Sequence, residues 1–219
     1  MLHPAACMLL YHAGCTAVKD IDLNRCHEGH DLGKGFYLSA SLRQAAEAVP
    51  QAVKRAVRLN RIDAGFHTED GMVSVYRFHY DPSLLHRCFQ EADREWLHFA
   101  AANRDHSLFP KLLHKYQAID IVSGKTAGDK AAKTLMLYLE KTYGMPGTAK
   151  ADSAALSELQ PESLQEQFCF RTEDAVSCLE FVRSERCADA VQSLGSQPSD
   201  LPDQQKNVCA VITMRNAVL

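Results

Sequence analysis

Apolar positions come in short runs along this chain and never settle into one long period. Met8-Leu9-Leu10-Tyr11-His12 is a brief apolar run that stops at Ala13-Gly14, the pattern of a buried strand. A loop over residues 15–34 leads to a second short strand, Gly35-Phe36-Tyr37-Leu38. Ser41-Leu42-Arg43-Gln44 has the form of a capping box and predicts a helix to about Asn60, broken or bent at Pro50. From Gly71 to Tyr80 the pattern alternates, with Val73, Val75, Arg77 and His79 opposite Met72, Ser74, Tyr76, Phe78 and Tyr80, which is strand chemistry. Further strands are predicted over residues 84–89, 118–122 (ended by Gly124), 166–171 and at Phe181-Val182. Helices are predicted from Glu91 to Asn103, with Trp96, Phe99 and Ala100 on one stripe, and from Lys130 to Tyr143, stopped by Gly144 and Pro146. Thr172, followed by Glu173 and Asp174, is the N-cap of another. Residues 188–207, rich in Ser, Gln, Pro and Asp, read as a linker, and 208–219 as a C-terminal segment whose apolar part, Val208 to Met214, returns to pack on the body. Residues 1–187 are then the folded domain. Short strands mixed irregularly with helices predict an α+β fold.

Composition narrows the class. The chain has 219 residues, 46% of them apolar and 23% charged, ordinary values for a folded domain. Lys+Arg 24 against Asp+Glu 27 gives −3, so no global field draws nucleic acid or an anionic membrane. No apolar run approaches the roughly 18 residues of a membrane span. The first residues carry neither a basic region nor a long apolar stretch, so no cleavable signal peptide is expected. Eight scattered cysteines without a CxxC pair read as mostly reduced core thiols.

Candidate chemistry concentrates in Gly29-His30-Asp31-Leu32-Gly33-Lys34-Gly35-Phe36-Tyr37. A phosphate-binding P-loop does not fit: Gly29 and Gly33 enclose three residues rather than four, and Gly35 follows Lys34 where Ser or Thr is needed. The dinucleotide GxGxxG pattern fails for want of a glycine at position 38. Cys26-His27-Glu28-Gly29-His30 is the one tight group of metal-ligating types, but adjacent loop residues rarely aim at one ion and no second ligand pair follows; no metal is expected.

Leu10-Tyr11-His12-Ala13-Gly14, then Gly33-Lys34-Gly35-Phe36-Tyr37-Leu38-Ser39, then Gln165-Glu166-Gln167-Phe168-Cys169-Phe170, taken in order, resemble the three motifs of the poly(ADP-ribose)-polymerase-like ADP-ribosyltransferases. The resemblance is closest to a compact bacterial branch and spans residues 9 to about 183; Trp96, Asn103-Arg104 and Asp120-Ile121-Val122-Ser123-Gly124 also suit that branch. It implies two small, mostly antiparallel sheets with flanking helices and an NAD cleft between them. It implies a mono-ADP-ribosyltransferase, with NAD as substrate and a protein acceptor. Compact relatives include toxins and effectors secreted into host cells, ubiquitin among their targets, so the expected location is the cytoplasm or a host cell.

By that resemblance, His12 bonds a ribose hydroxyl, the Ala13 and Gly14 backbone holds the nicotinamide carboxamide, and Gly33, Lys34 and Gly35 line the dinucleotide. Tyr37 stacks on the nicotinamide ring. The third-motif side chain grips the nicotinamide ribose and, if charged, stabilises the oxocarbenium-like transition state. Two departures stand out: the glycine follows His12 by two residues rather than one, and the catalytic register falls on Gln167 with Glu166 beside it. Strand neighbours face opposite ways, so one of the two faces the cleft. Phe168 and Phe170 share Glu166's face, which leaves Gln167 for the cleft, with Asp31 as the nearest charge; a bulge would select Glu166 instead. Two rival functions use the same residues: a non-catalytic member that binds NAD, ADP-ribose or a partner, and an NAD glycohydrolase. Read structurally, His12 caps a strand, Tyr37 is a core aromatic, Asp31 forms an Asx-turn, Trp96 packs the core, and Lys54, Arg55, Arg58 and Arg61 make a solvated face.

Overall fold

The structure is a computed structural model that describes residues 7–159 and 164–196. Among these residues seven strands and seven α-helices follow in the order β1 (Cys7–Gly14), β2 (Phe36–Ser39), α1 (Leu42–Arg58), β3 (Met72–His79), β4 (His86–Phe89), α2 (Arg94–Arg104), α3 (Pro110–Lys115), β5 (Ile121–Ala127), α4 (Asp129–Leu139), α5 (Ala149–Glu158), β6 (Leu164–Phe170), α6 (Glu173–Ser177), β7 (Leu179–Arg186) and α7 (Cys187–Ser196). The fold is α+β. The described residues divide into two units. The first holds those up to Ile21, Tyr37–Pro82 and those from Val176 on; the second holds Asp22–Phe36 and Ser83–Ala175.

In the first unit the strands run β2-β1-β3-β7, every pair antiparallel. Tyr11 pairs with Ser39 and His12 with Ser74, while the β3–β7 register shifts between Val75 and Tyr76. Apolar residues at 45, 46, 49 and 53 put one stripe of α1 into a core with Val73, Cys187 and Ala190. Ser41 caps this helix, its side chain accepting from the Gln44 amide. The expected break at Pro50 does not occur. Proline removes the N–H that would bond the Ala46 carbonyl, and that carbonyl instead accepts from Cys187 Sγ at 3.5 Å. The donor comes from α7, a helix that occupies residues assigned to the linker. Residues 188–196 therefore belong to the body; 197–207 and the C-terminal segment 208–219 lie outside the described residues.

In the second unit β4 pairs parallel with β5, and β5 antiparallel with β6 in an unbroken register that sets Gly124 opposite Gln167. The expected strand end at Gly124 is a crossing point instead. A Cβ there would lie 2.2 Å from the Phe89 carbonyl oxygen, so glycine lets β4 approach and β5 continues. Helix α2 is buried on more than the expected stripe: Trp96, Leu97, Phe99, Ala100, Ala101 and Ala102 are all at most 1% exposed. The small Ala100–Ala102 side chains allow packing on several sides at once. Trp96 Nε1 donates to the Lys125 carbonyl at 2.6 Å, and Phe99 stacks on Phe89 with Tyr116 edge-on. Cys7, Cys15, Cys26, Cys169, Cys178 and Cys187 are free thiols, whereas Cys88 is disulfide-bonded. Among the described residues no helix is long and apolar enough to cross a membrane.

Candidate functional site

The first unit places His12 and Tyr37 together. Antiparallel pairing of β1 with β2 brings His12 Nδ1 within 2.9 Å of the Tyr37 carbonyl. A carbonyl only accepts, so Nδ1 carries the proton and Nε2 of the neutral ring is an acceptor. Burial pushes the His12 pKa below its ordinary value, against the opposing pull of that hydrogen bond, and so favours the neutral imidazole. The Gly14 Cα lies beside the ring: a Cβ there would come within 3.3 Å of His12 Nε2. The displaced glycine thus still leaves room, next to the histidine rather than immediately after it. Ala13 pairs with Val73 in the β1–β3 ladder. Tyr37 is partly exposed on β2 while its neighbours Phe36, Leu38 and Ser39 are buried, so it is not simply a core aromatic. Arg55, drawn toward lower pKa by burial and by Arg58 and Arg61, lies within electrostatic reach of Tyr37.

The second unit builds the glycine-rich turn. From Asp31 to Phe36 every residue is buried except Lys34. The Gly33 amide closes the turn on the His30 carbonyl at 3.0 Å, and Gly33 has φ +93°, a conformation glycine adopts without strain. Gly35 lies so close to β6 that a Cβ would sit 2.5 Å from the Phe170 carbonyl oxygen and 2.6 Å from Cys169 Sγ. Cys169 Sγ also donates to the Gly33 carbonyl at 3.8 Å. Gln167 shares the Cys169 face of β6, and the register shows no bulge. Within this unit Gln167 is therefore on the face of β6 that carries the Gly-Lys-Gly turn. Glu166 is exposed and bound to Lys125 Nζ at 2.9 Å. Burial does not separate the two faces of β6 as the phenylalanines suggest, since Cys169 is as buried as Phe168 and Phe170; contact with the turn does.

Asp31 differs from expectation. It is 5% exposed, and its Oδ1 accepts from both Nε and Nη2 of Arg104 at 2.7 Å. The guanidinium meets its charge, so it offers no uncompensated negative charge to a transition state. Asn103 Nδ2 donates to the Asp31 carbonyl at 3.2 Å and to the Phe99 carbonyl at 2.9 Å. The sequence sign of these two partners is a pair of polar residues directly after the apolar run Phe99-Ala100-Ala101-Ala102.

A second buried polar group lies at the other end of α2, with no motif in the sequence to mark it. Asp152, 3% exposed, accepts from Arg94 Nε, His98 Nε2, the Tyr138 hydroxyl and the Gly147 amide. Burial pushes its carboxyl up, but these hydrogen bonds outweigh it and hold the pKa below the usual carboxylate value. Arg94 and Asp152 also line a hollow of about 500 Å³ with Ser153 and Ser157. Four donors on one carboxylate make this a clasp between helices.

No curated protein and no solved structure matches the chain. A family model described as a protein of unknown function, DUF3990, matches residues 8–181, and the chain belongs to that family.

Proposed function

We propose that this protein is an NAD-dependent mono-ADP-ribosyltransferase that moves one ADP-ribose from NAD to a protein acceptor. The observation that carries the reading is the 2.9 Å contact between His12 Nδ1 and the Tyr37 carbonyl. It joins the first two motifs inside one unit and sets His12 in the tautomer whose Nε2 is of acceptor type, the kind of atom that takes a ribose hydroxyl's proton in a hydrogen bond. The partly exposed Tyr37 ring stacks on the nicotinamide. The place of Gln167 on the Cys169 face gives further support to the third motif. The reading carries with it the two small, mostly antiparallel sheets of that fold type.

In the proposed reaction the bond between ribose C1′ and the nicotinamide nitrogen breaks, and its electron pair leaves with neutral nicotinamide. The acceptor's nucleophile then bonds C1′ and releases its proton. Gln167 holds the nicotinamide-ribose hydroxyl through its amide. Being neutral, it orients the sugar but adds no negative charge against the oxocarbenium character of the transition state, which favours single transfer over chain growth. The same neutrality favours, as second reading, a member that binds NAD without turnover. Incubating the full chain with NAD and measuring free nicotinamide, with and without cell lysate, decides between them. Release that needs lysate is the expected result. Release without lysate identifies a glycohydrolase, and no release identifies a binder; either outcome overturns the proposal.

A further inference from the structure

The turn that carries Lys34 packs on β6 through Gly33 and Gly35, and its Asp31 end is gripped by helix α2. Helix α2 ends in Asn103 and Arg104, and both side chains reach back to the segment from Asp31 to Gly33. Arg104 binds the Asp31 carboxylate through two nitrogens, both at 2.7 Å. Asn103 binds the Asp31 carbonyl with Nδ2, and its Oδ1 lies 3.0 Å from where a Cβ on Gly33 would stand. Asn103 Nδ2 is itself anchored on the Phe99 carbonyl, one turn back in a helix that is buried nearly all round. Helix α2 thus holds the Asp31 end of the turn at its carboxylate and its carbonyl and lies close against Gly33, while Lys34 is the residue the turn presents to solvent. An ion pair this buried adds little to stability in general, but it fixes one geometry.

We infer that Asn103 and Arg104 are positioning residues: they hold the His30–Gly35 turn in the shape that receives the dinucleotide. The inference rests on the NAD reading above. Their removal loosens the turn and weakens NAD binding, while bond cleavage in the bound complex proceeds as before.

The test has two arms on the full chain. Amide hydrogen exchange on NAD-free protein compares wild type with Arg104→Met, Asn103→Ala and the charge-neutral pair Asp31→Asn with Arg104→Gln, which leaves no uncompensated buried charge. Exchange at residues 30–35 should speed up about tenfold or more, with β5 and β6 unchanged. Steady-state release of nicotinamide should show KM for NAD raised about tenfold with kcat within about twofold, and Arg104→Lys should recover part of the loss. Unchanged exchange in the turn overturns the inference whatever the protein does with NAD. Faster exchange with an unchanged KM overturns it too, as does an equal fall of kcat in every variant. A wild type that neither binds nor cleaves NAD marks the failure of the NAD reading itself, visible before any variant is made.

Discussion

The two ends of helix α2 carry the same chemistry and use it differently. At its start Arg94 binds buried Asp152; at its end Arg104 binds buried Asp31. Asp152 gathers His98, Tyr138 and the Gly147 amide as well, so one carboxylate ties α2 to α4, α5 and the turn before α5. Asp31 ties α2 to a loop whose exposed residue is a lysine. The difference lies in what the carboxylate connects. A carboxylate shared among helices holds the core, whereas one shared between a helix and a glycine-rich turn sets the shape of a surface. The first should be read in stability and the second in binding.

The sharpest break of that contrast is Asp152→Ala. It strips four donors of a shared acceptor, one of them the hydroxyl of fully buried Tyr138, and should cost about 3–5 kcal/mol in urea unfolding. The charge-neutral pair at Asp31 and Arg104 should keep most of the stability, because neither partner is left charged and alone. If the two variants unfold alike, the division of labour between the helix ends is wrong.

A half-buried histidine in the same unit gives the next effect. His86 Nε2 bonds Ser123 Oγ at 2.7 Å, and Nδ1 has no hydrogen-bond partner among the described residues. Burial pushes its pKa down to about 4. The unfolded chain, titrating near pH 6.5, takes up the proton first as pH falls. Stability from this residue is therefore whole above about pH 6.5 and is lost progressively toward pH 4, on the order of 2–3 kcal/mol in all. Urea midpoints at pH 7 and pH 4.5 should differ less in His86→Leu than in wild type. Equal pH dependence in the two proteins would show that His86 is paired or hydrated.

Much of this was legible because local rules decided it. Ser41 caps α1, Thr172 bonds the Ala175 amide as an N-cap should, and the alternation from Gly71 to Tyr80 became β3. The motifs placed His12 and Tyr37 on neighbouring strands. What escaped depended on distant partners. Pro50 forbids a helical hydrogen bond, and only tertiary structure supplies Cys187 to replace it. Helix α5 is an alanine- and serine-rich stretch with little apolar period, stabilised by the Thr148 cap and by Asp152 rather than by a stripe. Asp31 gave no sequence sign of Arg104, which lies 73 residues away.

Gln167 sharpens the comparison at the site itself. On the Cys169 face, Gln167→Ala should lower turnover by about tenfold or more, equivalent to about 1.4 kcal/mol of transition-state stabilisation. Gln167→Glu should match or exceed wild type by setting a negative charge against the oxocarbenium ion. Nicotinamide release measures both. A glutamate variant slower than alanine would mean that the amide's donor, not its position, is what the reaction uses.

The smallest effect is expected at Glu166, one residue away. Its partner Lys125 is opposite it in the β5–β6 ladder, and the carboxylate is 53% exposed. An ion pair so open to water contributes little, because solvent and salt screen it and two long side chains lose freedom to form it. Glu166→Ala should therefore change unfolding stability by less than about 0.5 kcal/mol. Turnover should stay within about twofold of wild type, since the strand turns this side chain away from the face that carries Cys169 and the turn. The two readouts are independent. A stable Glu166→Ala variant that has lost turnover, beside an active Gln167→Ala, would place the catalytic carboxylate one residue earlier and require a bulge at the start of β6.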